Sequence, residues 1–107
     1  MKVNELTGAA LDWAVATCEG LDYWEPEIGP SQPEYSTDWA QGGPIIERER
    51  IDLRFDDEWI ALMYGIDYDA EGMPDEYPCG PTPLIAAMRC YVASQFGDEV
   101  DVPEELL

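Results

Sequence analysis

Apolar residues first recur with a helical period at Leu11, Val15 and Cys18, at spacings of four and three, and predict an N-terminal helix. Thr7 supplies its N-cap and Gly20 its stop, while Leu6 and Leu11 stand where a hydrophobic staple forms. Such a helix is expected to pack on a sheet. Over 21–35, Pro26, Gly29, Pro30 and Pro33 come too close together for a continuous helix or a central strand, so this stretch reads as a flexible loop with at most an edge strand. Ser36 or Thr37 can cap a short turn through Trp39. Gly42, Gly43 and Pro44 then interrupt the chain, and Pro44 suits the first turn of a short second helix.

From Ile51 the period changes. Ile51, Leu53 and Phe55 alternate with Asp52 and Arg54, the pattern of a strand with one buried face. Asp56 and Asp57 form a turn, and the run from Trp59 to Tyr64 is apolar on both sides, as an inner strand would be, which closes a hairpin. A long acidic flexible loop follows over 65–81. The last element has the fullest set of signals: Thr82 caps, Pro83 takes the first helical position, Ile85, Met88, Val92 and Phe96 recur, and Gly97 stops the helix. Ala86, Cys90 and Ala93 give it a stripe for close packing, and an acidic tail follows over 98–107. The expected fold is a single α+β domain over 1–107: an N-terminal helix, a short second helix, a central hairpin or small antiparallel sheet, and a long C-terminal core helix.

Charge changes this picture most. The 107 residues hold 24 Asp and Glu against 5 Lys and Arg, with no His, for a net charge of -19. That field repels nucleic acid and anionic lipid and favours basic protein surfaces. Four Trp and six Tyr in a chain that is 46% hydrophobic argue for a folded body rather than an acidic disordered tract. Three cysteines without framework spacing, and no sequence resembling a secretory signal, point to a reducing cytoplasm. No apolar run reaches the roughly 18 residues of a membrane span.

Two segments carry a family resemblance: STDWAQGGPIIERE from Ser36 to Glu49, and GPTPLIAAMRC from Gly80 to Cys90. With the opening ELTGAALDWAVA and the closing GDEVDVPEEL, the chain resembles the NinX-like family of small phage and prophage proteins over nearly its whole length. The resemblance implies a phage-encoded accessory protein made in the host bacterial cytoplasm and, more loosely, a layered fold like phage α-β-α sandwich domains. It brings no catalytic positions.

The residues themselves offer little chemistry. Without His the usual triads are missing, no Gly-x-Ser-x-Gly elbow occurs, and 24 carboxylates make any acid pair easy to nominate, so no catalytic residue, cofactor or enzymatic activity is expected. Asp67, Asp69, Glu71 and Gly72 copy the first half of a calcium loop, but the closing twelfth position is Pro78, and no metal site is assigned. Trp39, Arg48 and Arg89 are candidates for a small-ligand pocket at a helix N-terminus, with a nucleotide signal as the ligand class. The simpler reading of Arg89, a lone guanidinium beside Met88, Cys90 and Tyr91, is a structural cation held by a carboxylate or backbone carbonyls.

The leading expectation is recognition by an acidic surface built from Asp56, Asp57, Glu58, Asp67, Asp69, Glu71, Asp75 and Glu76, with Trp59, Tyr64, Tyr68 and Tyr77 as aromatic anchors. A domain about 35 Å across spans as much duplex as carries about 20 phosphate charges, so the two charge densities are comparable. The expected role is a non-enzymatic inhibitor of a basic host protein, a nucleic-acid-processing or defence enzyme, by DNA mimicry. The alternatives are a sponge for a nucleotide signal and an accessory subunit in phage assembly or recombination. No direct nucleic-acid or membrane partner is expected. A homodimer would have to keep its acids from the two-fold, and the last helix is a possible contact for it.

Overall fold

The computed structural model of the protein describes residues 1–20, 34–63, 77–97 and 99–106. Three α-helices, α1 (Gly8–Cys18), α2 (Trp39–Glu49) and α3 (Pro83–Phe96), accompany three strands, β1 (Ile51–Asp56), β2 (Glu58–Met63) and β3 (Cys79–Gly80). The strands form one antiparallel sheet in the order β1-β2-β3, with Ile51 opposite Met63, Phe55 opposite Trp59, and Trp59 also opposite Gly80. The apolar run of β2 therefore occupies the inner position, as its two-sided pattern requires.

α3 is the hub. Thr82 Oγ1 accepts from the Ile85 N–H at 3.1 Å, and Pro83 takes the first turn. Leu84 and the continuous run 86–92 are buried. One side of α3 lies on the sheet, while α1 and α2 pack against it from elsewhere. α2 also meets β1, whereas α1 packs mainly on α3 instead of the expected sheet. Leu6 and Leu11 are both fully buried in the shared core.

The second helix is longer than its sequence suggests. Asp38, not Ser36 or Thr37, is the cap: its Oδ1 accepts from the Ala40 N–H at 2.9 Å, and its Oδ2 accepts from Gln41 Nε2 at 3.1 Å. The helix passes through Gly42, Gly43 and Pro44 without interruption. Gly42 is there for close approach, because a Cβ would collide with the Tyr35 carbonyl and fall 2.6 Å from Leu84 Cδ1. The helix ends at Arg50, which takes the left-handed conformation and turns the chain directly into β1.

Three further features depart from expectation. Part of the predicted loop over 65–81 is strand β3, where Gly80 leaves no room for a Cβ, 2.8 Å from Ile85 Cγ2 and 3.1 Å from the Ala86 nitrogen. The start of the acidic tail is pinned: the Met1 amino group donates to the Val100 carbonyl at 3.0 Å, and Val100 is buried. Phe55, predicted to face the core, is 65% exposed because it lies toward the hairpin tip.

Candidate functional site

The hairpin tip gathers three of the predicted acids. Asp56 stands opposite Glu58 in the register, and Asp57 between them takes φ 64, a left-handed conformation that Asp tolerates. Asp56, Asp57 and Glu58 are all exposed. None forms an ion pair among the described residues, and Arg54, the nearest cation along the strand, is held by Asp52 at 3.0 Å. Immediately below the acids, the rings of Phe55 and Trp59 meet edge to face with centroids 5.4 Å apart. The tip is thus a short acidic ridge beside an aromatic pair, and aromatic residues are enriched at protein interfaces. Asp67, Asp69, Glu71, Asp75 and Glu76, with Tyr64, Tyr68 and the half calcium loop, lie outside the described residues. Tyr77 is 42% exposed. No group of three or more His, Cys, Asp or Glu placed to hold a metal ion occurs among the described residues.

The three pocket candidates are not gathered in one place. Trp39 is 54% exposed at the first turn of α2, where the Asp38 carboxylate already occupies the helix N-terminus. Arg48 lies near the other end, about 13 Å along the helix axis by the rise per residue. It clamps Glu19 with two hydrogen bonds of 3.0 and 2.7 Å, donates to Glu49 at 2.7 Å and to the Tyr91 hydroxyl at 3.1 Å, and its guanidinium sits 5.6 Å from the Tyr91 ring centre. Tyr91 in turn donates to Glu19 Oε2 at 2.6 Å. One guanidinium therefore ties the ends of α1 and α2 to α3. The Arg48 hydrogen bonds hold the Glu19 carboxyl below its ordinary pKa, whereas burial, then the Glu19 carboxylate, pushes the Tyr91 hydroxyl up.

Arg89 follows the structural reading. It is 8% exposed, and its Nε and Nη1 donate to the Leu6 carbonyl at 2.9 Å and the Cys79 carbonyl at 2.7 Å. It forms no salt bridge among the described residues, and burial lowers its pKa. The residue joins the chain before α1 to strand β3.

Sequence reasoning missed Asp12, a buried acid on the apolar side of α1. Its Oδ1 accepts from the Ser36 N–H at 2.8 Å and fastens the turn before α2 onto α1. Burial raises its pKa against the opposing pull of Ser36, whose hydroxyl faces the same carboxylate without a well-aligned hydrogen bond. None of the three cysteines is in a disulfide; burial, with Glu19 nearby, pushes the Cys18 thiol up to about 12, so it is a poor nucleophile at neutral pH. No helix among the described residues is long and apolar enough to cross a membrane.

None of the curated proteins matches the chain. A family model does, over residues 2–95, covering α1, the sheet and nearly all of α3. Its description is Bacteriophage P22, NinX, and the chain belongs to that phage family.

Proposed function

We propose that this phage-family protein binds a basic surface of a host protein that processes nucleic acid or defends against phage, and blocks it by standing in for DNA. The observation that carries this reading is the hairpin tip, where three exposed acids, none in an ion pair among the described residues, adjoin the Phe55 and Trp59 rings. The long-range charge supports it. The 24 acidic residues of a body 40 Å long compare with about two dozen phosphate charges on the same length of duplex. A field of that strength steers a basic groove toward the tip, and the aromatic pair supplies apolar contact once the partners meet.

The test is capture from host lysate at low and moderate salt, beside a variant carrying Asp56→Asn, Asp57→Asn and Glu58→Gln. Asn keeps the left-handed turn at residue 57, so the hairpin survives while its charge is lost. The expected result is a DNA-binding host protein retained by the parent only, released by rising salt and by competing duplex DNA. Equal retention by the variant, or retention indifferent to DNA, overturns the reading. A thermal-shift panel of nucleotides covers the sponge alternative, since a true ligand at 100 times its dissociation constant stabilises a fold by about 2.7 kcal/mol.

A further inference from the structure

Among the described residues β1 is an edge strand, with β2 on one side. Long, regular edges invite pairing with another chain, and proteins usually blunt them with charged side chains, Pro or bulges. β1 has no Pro and no bulge in its register with β2, and its charges are of both signs, so they oppose some pairings and favour others. Its charges run Arg50, Asp52, Arg54, Asp56, alternating in sign about Leu53. Three of the chain's 5 basic residues, Arg48, Arg50 and Arg54, fall just before or within this strand. In a protein of net charge -19, the segment 50–56 balances two arginines against two aspartates.

We infer that a second copy of this chain pairs with β1, antiparallel about a two-fold at Leu53, to form a six-stranded sheet. In that register Asp52 lies directly opposite Arg54 of the partner subunit, and Arg54 opposite the partner subunit's Asp52. Ile51 meets the partner subunit's Phe55. Directly opposed unlike charges stabilise a strand pair and like charges oppose it. Sliding the copies by two residues in one direction sets Asp52 against Asp52. In the other direction it sets Arg54 against Arg54 and Asp52 against Asp56. Both slips repel, so the charge pattern selects one register. Within a single chain Arg54 already reaches Asp52 at 3.0 Å, with the two side chains 67% and 54% exposed, so both are available on the open side of the strand. The arrangement also brings Phe55, which is 65% exposed, beside Ile51 of the partner subunit, while Trp59 on β2 stays at the tip. It leaves the acidic tips at opposite ends, roughly 27 Å apart by strand rise, away from the two-fold where they would repel. The helix face of each protomer falls on the same side of the joined sheet.

Sedimentation of the full chain in about 0.15 M salt, where the Debye length is about 8 Å, tests the pairing without any host partner. The expected result is a monomer–dimer equilibrium for the parent at concentrations on the order of 0.1 mM or below. D52R sets Arg against Arg across the two-fold and R54D sets Asp against Asp, so each single variant weakens self-association by about tenfold or more. An equimolar mixture of the two restores every unlike pair and forms a heterodimer, and the doubly exchanged D52R/R54D chain dimerises like the parent. Circular dichroism confirms that each variant is folded, as expected for substitutions at exposed side chains. A parent that stays monomeric, or two single variants that fail to associate when mixed although the parent dimerises, overturns the inference.

Discussion

The helical side of the molecule and the hairpin tip use charge in opposite ways. On the helical side a cation is enclosed by acceptors: Arg48 binds Glu19, Glu49 and Tyr91, and Arg89 binds the carbonyls of Leu6 and Cys79. At the tip, Asp56, Asp57 and Glu58 lie close together in solvent without an ion pair among the described residues. Charges of the first kind hold elements together at long sequence separation. Those of the second kind contribute nothing visible to packing, and their crowding costs some stability through repulsion. In a chain with a surplus of one sign, the acids that matter to this fold are those given a cation, as Glu19 is, or a backbone N–H, as Asp12 and Asp38 are.

The strongest way to test the helical half of that contrast is Arg89→Ala. Truncation leaves the buried Leu6 carbonyl without its donor, worth about 1–3 kcal/mol, takes a donor from the part-buried Cys79 carbonyl and removes packing beneath Gly80, while it relieves the burial of a charge on which Glu58 acts without a hydrogen bond. The net expectation is a loss of about 3 kcal/mol in urea unfolding. Arg89→Met fills most of the space and still lacks the two guanidinium donors, so it should recover only a minor part of the loss. A variant as stable as the parent would remove Arg89 from the set of structural cations.

Arg48→Ala should cost less, about 1 kcal/mol, because the guanidinium is half exposed and water screens its pairs. Its pH dependence is more telling than its size. Glu19 has a folded pKa below its ordinary value, so as the medium is acidified the unfolded chain takes up that proton first. The stabilisation is present at neutral pH and is lost as pH falls through the depressed value, from about 4 downward. Asp12 works in the opposite sense: its raised pKa means that ionisation above that value disfavours the fold. It is common to parent and variant, so their difference isolates the Arg48 corner. That difference in unfolding free energy should shrink below about pH 4, and a difference independent of pH would assign the effect to packing alone.

How far each region could be read from sequence follows from the range of its interactions. α3 was legible because cap, Pro83, apolar period and Gly97 all lie within one helix length. The tip acids were legible too, since Asp56 and Asp57 end an alternating run. Arg89 could be read as a structural cation because a lone guanidinium in an apolar stretch needs acceptors, though not which ones. The Arg48 corner could not: its partners Glu19 and Tyr91 are 29 and 43 residues away and share no local pattern with it. β3 has two residues and no strand propensity, and is made by its register against Trp59 and Ile60. The helix through Pro44 reverses a local rule, because the Asp38 cap and the packing of Gly42 on Leu84 outweigh one missing backbone donor. Phe55 obeys the alternation of its strand but stands out at the exposed tip.

The smallest expected change in stability belongs to the tip. Replacing Asp56, Asp57 and Glu58 by Asn, Asn and Gln breaks no ion pair among the described residues and keeps a residue suited to φ 64 at position 57. Removing three like charges lowers repulsion slightly, so the midpoint of urea unfolding should stay within about 0.5 kcal/mol of the parent or rise. Loss of more than about 1 kcal/mol would mean that the tip acids are structural after all, and the contrast with the helical side would fail. Near-neutral stability has a sharper implication than tolerance, because it would separate the tip acids from the fold and leave the proposed recognition role to be tested by binding alone.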